Sequence, residues 1–359
     1  MAGRIVLFGA TGYTGRLTAA SLLRRGERPV LAARSADALA SLASELGGGL
    51  ETATADVSRP ETVRALVERG DVLLSCVGPF ARWGEPAVRA AVDVGAHYLD
   101  STGEGVFIRR VFEEFGPRAR ESALLTAMGY DWVPGNLAAA LALADAAPAA
   151  VRVEIGYFFT GRAGMSGGTA ASAARAILDP TYTFRGGELR TERAGARVRS
   201  FDVRGRPSPA LSMGSTEAFS LPRVHPELRD VDVYLGWFGP ATRPMSLMTL
   251  LGVVPGARQA ISGVASRFVK GSTGGPDAEE RAKSGSHIVA TAYDAGGEAL
   301  ATVHLEGANA YDFTADMLAW AAQAMRDGAL QGTGALGPVE AFGRDRLREG
   351  CAEAGLLRV

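Results

Sequence analysis

A glycine-rich turn near the start of the chain has the spacing of a phosphate-binding loop. Gly9, Gly12 and Gly15 form the pattern GxxGxxG between an apolar run at residues 4–8 and an amphipathic segment at residues 13–25. In a strand-turn-helix unit such glycines permit a tight turn and close approach to a pyrophosphate, and the helix N-terminus offers N–H groups to the anion. We therefore predict that a dinucleotide is bound by Gly9, Thr11, Gly12, Tyr13, Thr14 and Gly15.

The end of the second predicted strand discriminates between the two nicotinamide dinucleotides. Enzymes that use NAD usually place an acidic residue there, against the 2′-hydroxyl of the ribose. This sequence has Arg34 and Ser35 instead. A planar guanidinium suits a 2′-phosphate, and serine can add a hydrogen bond. We therefore predict NADPH as the cofactor, with Asp56 and Val57 near the adenine; the alternative for Arg34 is a solvated residue at a strand end.

The loop after the fourth predicted strand is expected to approach the nicotinamide ribose, because loops at the carboxyl edge of such a sheet line the ligand crevice. Cys76 has no basic neighbour in the sequence, so packing is favoured over a nucleophilic role. Phe80, at the end of this loop, is a predicted substrate contact. The predicted cofactor contacts in the loop are Cys76, Val77, Gly78 and Pro79.

Two more loops at this edge contain candidate proton donors. Residues 97–104 end the fifth predicted strand, and residues 129–136 follow the sixth. We predict Tyr130 and Asp131 as the catalytic residues, because they lie farthest toward the second domain. Helix capping or packing is the alternative for each. Asn136, in the same segment, is a predicted substrate contact.

A second glycine-rich turn lies beyond the first domain and opens a predicted helix at residues 169–178. Its donors suit a carboxylate, phosphate or thioester oxygen, although a helix cap alone would have the same composition. The predicted substrate contacts there are Ser166, Gly167, Gly168 and Thr169.

Regular alternation of strands and helices must position the first set of loops. Six short apolar runs separated by helical segments indicate a doubly wound parallel sheet of the Rossmann type over residues 1–148. The predicted strands lie at residues 4–8, 29–33, 50–55, 72–75, 97–100 and 123–126.

The pattern changes after Pro148. Residues 149–310 contain alternating runs and a predicted hairpin around Gly296 and Gly297, which indicates an α+β domain for substrate binding or dimerisation. The predicted helices of residues 311–359 are expected to pack back on the first domain. The predicted fold class is therefore α/β, with a second α+β domain.

Composition and charge limit the possible partners. The 359 residues fit two domains, and 38 basic against 39 acidic residues give a net charge of −1, which favours neither nucleic acid nor an anionic membrane. Two cysteines and four histidines match no metal spacing. The apolar stretch at residues 245–254 is shorter than the roughly 20 residues of a spanning helix. We expect a cytoplasmic protein with a small-molecule partner, because the first strand leaves no room for a signal peptide.

Five motifs, in this order, resemble those of the saccharopine dehydrogenase-like oxidoreductases, particularly the trans-acting enoyl reductases. They are GATGYTG at residues 9–15, SCVGPF at 75–80, HYLDSTGE at 97–104, GYDWVPGN at 129–136 and SGGT at 166–169. The resemblance implies an NADP-binding domain, a substrate domain, hydride transfer to an activated double bond and, by analogy, a homodimer through the second sheet.

Three functions are compatible with these features. The first is an NADPH-dependent reductase that acts on the C=C bond of a small or carrier-bound enoyl substrate. The second is an imine reductase, because C=N and conjugated C=C bonds both accept a hydride and one proton. The third is a non-catalytic NADP-binding sensor or scaffold, since a Rossmann domain does not by itself imply chemistry.

Overall fold

A seven-stranded parallel sheet organises the first part of the protein. The computed structural model describes residues 3–161, 164, 166, 167, 179–250 and 274–359. The first six strands are β1 (Ile5–Phe8), β2 (Val30–Ala33), β3 (Thr52–Thr54), β4 (Val72–Ser75), β5 (His97–Asp100) and β6 (Ala123–Leu125). Their spatial order is β6, β5, β4, β1, β2, β3, and Gly334–Ala335 pairs with β6 at the edge. This is the Rossmann order, so the predicted fold class is confirmed.

Helices cover both faces of this sheet, which explains why its central strands are continuous apolar runs. Ile5 and Leu7 of β1 are buried on one face, and Val6 and Phe8 are buried on the other. The helices are α1 (Tyr13–Arg24), α2 (Ala36–Glu45), α3 (Pro60–Arg64), α4 (Phe80–Trp83), α5 (Glu85–Val94), α6 (Gly105–Arg110) and α7 (Val133–Ala146).

The segment between β5 and β6 does not form one regular helix. Only α6 is α-helical there, and it continues as a π turn at Val111–Phe115 and a 3₁₀ turn at Gly116–Arg118. Pro117 lies within the 3₁₀ turn, where it has no N–H to donate.

Nine strands of the described residues form a second, mixed sheet. Seven of them are neighbours in one continuous order, and the other two pair beside that order. Its strands are β7 (Arg152–Gly161), β8 (Pro180–Arg185), β9 (Glu188–Arg193), β10 (Val198–Val203), β11 (Arg206–Ser212), β12 (Asp230–Leu235), β13 (Ser284–Tyr293), β14 (Ala299–Gly307) and β16 (Leu356–Arg358). The label β15 denotes Gly334–Ala335, the edge strand of the first sheet. Strand β7 is parallel to β12 and antiparallel to β13. The predicted hairpin is present as the antiparallel pair β13 and β14.

The two faces of β7 have different environments. Val153, Ile155 and Tyr157 are fully buried in the main core, which includes α7. On the other face, the ring of Phe158 contacts Phe201 of β10 at a centroid distance of 5.8 Å. The hairpin of β10 and β11 therefore covers part of this face, and the homodimer through the second sheet stays a prediction.

The C-terminal part of the chain returns to the first sheet. The other α-helices of the described residues are α8 (Thr216–Val224), α9 (Thr242–Met248), α10 (Ala278–Ala282), α11 (Ala310–Arg326), α12 (Pro338–Phe342) and α13 (Arg344–Glu353). Helix α11 packs on α1, where Asp316 accepts hydrogen bonds from Ser21 at 2.5 Å and Arg24 at 2.7 Å. The domain boundaries at residues 148 and 310 stay a prediction.

Several elements have weak sequence signals. Strand β8 begins with Pro180 and β11 contains Pro207 and Pro209, although proline usually argues against a strand because it cannot donate to the ladder. Helix α8 contains Pro222. The helix predicted at residues 169–178 lies outside the described residues.

The described part of the apolar stretch at residues 245–254 has three exposed apolar side chains, whereas Thr249 is buried. Leu247, Met248 and Leu250 have 67%, 56% and 49% of their surface accessible. In the described part of the chain, no helix combines the length and apolarity needed to cross a membrane.

Candidate active site

The glycine-rich turn forms a cradle between β1 and α1. Gly9 has a φ of +87°, a left-handed conformation that favours glycine, and its amide donates to the carbonyl of Ala32 at 2.8 Å. A Cβ atom on Gly15 would lie 2.2 Å from the carbonyl oxygen of Gly9, so only glycine allows α1 to approach this closely. The first turn of α1 contains no acidic residue. This arrangement fits a pyrophosphate, which the N–H groups at the helix N-terminus would bind.

Arg34 and Ser35 are exposed directly after β2, where a 2′-phosphate would lie. The Ser35 hydroxyl oxygen accepts a hydrogen bond from the Ala38 amide at 3.2 Å, so its own proton can still be donated. Hydrogen bonds from Ser58, and the nearby charges of Arg34 and Arg59, hold the pKa of Asp56 below its usual value. Sequence reasoning missed Arg59, which adds positive charge to the same end of the sheet.

The loop after β4 is fixed by backbone contacts. The Cys76 amide donates to the carbonyl of Phe8 at 2.8 Å, and burial raises the pKa of the Cys76 thiol to about 12. A thiol with this pKa is almost entirely protonated at neutral pH, which agrees with packing and not with nucleophilic catalysis. Val77 and the backbone of Cys76 both lie beside the cradle, because a Cβ on Gly9 would lie 2.9 Å from Val77 Cγ2 and 3.0 Å from the carbonyl carbon of Cys76.

Glu104 connects the loops that follow β4 and β5. Its carboxylate accepts the backbone amides of Phe80 at 2.7 Å and Ala81 at 3.1 Å, at the start of α4. The ring of Phe80 is buried beside Phe107, with a centroid distance of 5.7 Å. Substrate contact by Phe80 stays a prediction, and its observed contacts are those of a core residue.

Asp100 connects the loops that follow β5 and β6. Its Oδ1 atom accepts hydrogen bonds from the amides of Thr102 at 2.8 Å and Ala127 at 2.9 Å, and its Oδ2 atom accepts one from the Thr126 hydroxyl at 3.0 Å. Burial raises the pKa of Asp100 to about 6, although these hydrogen bonds oppose the shift. The role of Asp100 is therefore to fix the two loops that surround the candidate site.

The two predicted proton donors have different environments. The Tyr130 hydroxyl donates to the carbonyl of Phe158 at 3.1 Å, and the ring stacks on Phe159 at 5.5 Å. Burial raises the pKa of Tyr130 well above its usual value. These contacts make Tyr130 a packing residue in the described structure, and its catalytic role stays a prediction.

Asp131 has the properties of a buried acid. Its Oδ1 atom is buried and has no hydrogen-bond partner among the described residues. Its other oxygen, Oδ2, faces Gly103 of the loop after β5, where a Cβ would lie only 2.9 Å away. Burial raises the pKa of Asp131 to about 7. A carboxyl group of this kind is partly protonated at neutral pH and is suited to general acid catalysis.

Asn136 joins α7 to α8. Its Nδ2 donates to the carbonyl of Trp132 and to the hydroxyl of Thr216, both at 3.0 Å, while its Oδ1 accepts from Ser220 at 2.9 Å. The amide is thus fully used within the protein, and substrate contact by Asn136 stays a prediction.

Sequence reasoning missed a buried acid on α8. Glu217 is fully buried, and its Oε1 lies 2.6 Å from the hydroxyl of Tyr157. Burial raises the pKa of Glu217 to about 8, and the negative charge of Asp131 adds to the shift. No local motif marks Glu217, because the residues that surround it come from the segment after β6, from β7 and from α7.

The second glycine-rich turn lies near the first one. The Ser166 amide donates to the Tyr311 hydroxyl at 2.7 Å, and the Tyr311 ring contacts the Tyr13 ring edge-on at 5.1 Å. Tyr13 is the first residue of α1. The rings of Tyr311 and Tyr13 therefore connect Ser166 to the dinucleotide cradle. Gly167 donates to the carbonyl of Gly274 at 3.2 Å, whereas Gly168 and Thr169 lie outside the described residues.

A narrow cleft separates the loop after β5 from the second sheet. It is lined by the residues Gly103, Glu104, Gly105, Asp179, Pro180, Thr181, Met213 and Gly214. Gly103 lines this cleft and also lies against the carboxyl group of Asp131, so Asp131 is next to the cleft.

The sheet order, the glycine cradle and the arginine after β2 together define a dinucleotide-binding domain of the Rossmann class. Residues 5–126 match the family model described as the saccharopine dehydrogenase NADP binding domain. The prediction of NADP as the dinucleotide is thereby confirmed.

Two curated mycobacterial proteins are similar to the chain over 140 residues. A putative trans-acting enoyl reductase of Mycobacterium tuberculosis is 39% identical over 37% of this chain and 33% of its own length. A trans-acting enoyl reductase of Mycobacterium ulcerans is 36% identical over 37% of this chain and 34% of its own length. The chain thus matches about a third of the length of these relatives.

The fold of the whole chain is similar to a saccharopine dehydrogenase (L-Glu forming) from Saccharomyces cerevisiae, with a TM-score of 0.63 over 99% of both chains. The sequences are only 12% identical, so this similarity concerns the fold alone.

Proposed function

We propose that the protein is an NADPH-dependent reductase that delivers a hydride to the activated C=C bond of a small or carrier-bound enoyl substrate. The observation that carries the proposal is the Oδ1 atom of Asp131, which is buried and has no hydrogen-bond partner among the described residues, beside the carboxyl edge of an NADP-binding sheet. The names of the mycobacterial relatives support the enoyl substrate class.

The proposed reaction divides the work between cofactor and protein. Bound NADPH supplies the hydride. The cradle of Gly9, Gly12 and Gly15 holds the pyrophosphate, and Arg34 binds the 2′-phosphate. Asp131, as a carboxylic acid, gives its proton to the substrate atom that does not receive the hydride, and its O–H bond breaks as the new bond to hydrogen forms.

The proposal is tested by following NADPH absorbance under anaerobic conditions with panels of enoyl thioesters, cyclic imines and keto acids. We expect oxidation of NADPH with the enoyl thioesters, and a loss of that activity in Asp131→Asn. Turnover of the imines alone would make the protein an imine reductase. Tight NADPH binding without turnover of any panel would instead favour a sensor or scaffold.

A further inference from the structure

An aromatic contact joins the first glycine-rich turn to the second. The ring of Tyr13, the first residue of α1, lies edge-on to the ring of Tyr311 at a centroid distance of 5.1 Å. The Tyr311 hydroxyl accepts a hydrogen bond from the amide of Ser166 at 2.7 Å. Tyr311 belongs to α11, so the start of this helix lies between the dinucleotide cradle and the second turn.

A second connection between the two turns passes through residues 274–276. The Tyr13 hydroxyl donates to the carbonyl of Pro276 at 2.5 Å, and the amide of Gly167 donates to the carbonyl of Gly274 at 3.2 Å. A Cβ atom on Gly164 would also lie 3.3 Å from Cβ of Pro276. The two connections therefore close into one ring of contacts. We call this ring the clasp, and its members are Tyr13, Ser166, Gly167, residues 274–276 and Tyr311.

Arg281 of α10 holds the hydroxyl of Tyr13 in the clasp. Its Nη1 atom donates to the carbonyl of Pro276 at 3.0 Å and to the Tyr13 hydroxyl at 3.3 Å. Its Nε atom donates to Asp312 of α11 at 2.8 Å, so the guanidinium also fixes the start of that helix. Burial raises the pKa of Tyr13, which keeps the phenol protonated and able to donate to Pro276. The donor and acceptor roles of this hydroxyl are thus both used.

The clasp packs closely on the ring of Tyr13. A Cβ atom on Gly275 would lie 2.7 Å from Cε2 of this ring, so residues 274–276 approach it as closely as only glycine allows. The backbone amide of Tyr13 is one of the first N–H groups of α1, which have no partner within the helix and would bind the pyrophosphate. One residue thus belongs both to the cradle and to the clasp.

We propose that Tyr13 is a positioning residue that couples NADPH to the second glycine-rich turn: when the cofactor fixes the start of α1, the clasp fixes Ser166 and Gly167 for the acyl substrate. The substrate half of this proposal rests on the proposed function, whereas the cofactor half needs only the NADP-binding domain. Fixing one member of a connected set of contacts lowers the entropy cost of fixing the others. NADPH and the acyl substrate should therefore each increase the affinity for the other.

Hydrogen–deuterium exchange, resolved to single amides by mass spectrometry, tests the coupling with NADPH alone. We expect saturating NADPH to slow exchange in residues 9–15 and also at Ser166 and Gly167, whose amides donate within the clasp. Tyr13→Phe keeps the ring and removes the hydroxyl. In this variant NADPH should still slow exchange in residues 9–15, but its effect at Ser166 and Gly167 should be smaller. No effect at these two amides in the wild type, or an equal effect in Tyr13→Phe, would overturn the proposal.

Gly275→Ala tests the clasp from outside the cradle. The added methyl group should displace the ring of Tyr13, while the sequence of the glycine cradle stays unchanged. With saturating NADPH, KM for the enoyl thioester should rise about 2- to 10-fold, as for the loss of roughly one hydrogen bond, and kcat should change less. An unchanged KM would contradict the proposal, because the clasp would then not act on the substrate turn.

Tyr293→Phe is the matched control for Tyr13→Phe. The Tyr293 hydroxyl also accepts a hydrogen bond from an arginine, Arg199, at 2.7 Å, but this pair lies outside the clasp. The control should keep the wild-type effect of NADPH on exchange at Ser166 and Gly167. If the wild type reduces no enoyl thioester, the proposed function fails, and exchange with NADPH alone still decides whether the clasp couples the two turns.

Discussion

The carboxyl group of Asp131 lies directly against the backbone of Gly103, with only 2.9 Å between Oδ2 and the place that a Cβ atom of residue 103 would occupy. The two residues follow neighbouring strands, β5 and β6, whose carboxyl ends meet at one edge of the sheet. The loop after β5 therefore sets the position of the acid that follows β6.

The first prediction is that Gly103→Ala lowers kcat without weakening NADPH binding. The added methyl group would displace the Asp131 carboxyl, and a small displacement of a proton donor can cost about 100-fold in rate. The measurement is kcat for an enoyl thioester, together with NADPH affinity from fluorescence. Gly332→Ala, whose Cβ would lie 3.8 Å from its nearest neighbour, is the control and should keep both values.

The second prediction concerns the choice of dinucleotide. Arg34→Ala removes the guanidinium expected to bind the 2′-phosphate, so affinity for NADPH should fall roughly 10- to 100-fold, as for the loss of a charged hydrogen bond. Affinity for NADH, which lacks this phosphate, should not fall. Equal losses of affinity for NADPH and NADH would mean that Arg34 does not bind the 2′-phosphate. The control is Arg190→Ala, which changes an exposed arginine of β9 and should leave both affinities unchanged.

The third prediction concerns stability in acid. Hydrogen bonds from Arg204 and His287 hold the pKa of Glu306 at about 2, below its ordinary value of 4.5. A group whose pKa is lower in the folded protein stabilises the fold fully at pH above its ordinary pKa. This stabilisation is lost as pH falls toward the folded-state pKa. The free energy of unfolding should therefore decrease between about pH 5 and about pH 2, and this decrease should be smaller in Arg204→Ala. Urea unfolding of both proteins at several pH values measures this decrease. An equal pH dependence of the free energy of unfolding in the two proteins would contradict the prediction.

The fourth prediction concerns the two thiols. Burial raises the pKa of Cys76 to about 12 and raises that of Cys351 as well. Neither thiol should react with iodoacetamide in the folded protein near neutral pH, and both should react in denaturant. Rapid labelling of folded protein at Cys76, detected by mass spectrometry, would indicate a reactive thiol.

The candidate cofactor site could be predicted because its signals are local. Gly9, Gly12 and Gly15 lie within one turn, and Arg34 follows the next strand, so short stretches of sequence contain both the element and its chemistry. The six predicted strands of the first sheet are present, and buried strands such as β1 and β2 are continuous apolar runs.

The candidate proton-transfer site could be predicted only in part. Asp131 and Asn136 are both polar residues in the same segment, and the sequence does not distinguish them; Asn136 is fully hydrogen-bonded because Thr216 and Ser220 lie beside it in the fold. The contact between Glu217 and Tyr157 depends on the packing of α8 against β7, which the sequence alone does not show. Helix α8 contains Pro222, which weakens the helical pattern around Glu217.

The most direct test of the account is the single-turnover rate of enoyl thioester reduction by wild-type protein and by Asp131→Asn, both saturated with NADPH. If Asp131 supplies the proton, the rate should fall by about 10²- to 10⁴-fold while NADPH affinity stays the same. A rate in Asp131→Asn equal to that of the wild type would contradict the assignment of Asp131 as the proton donor.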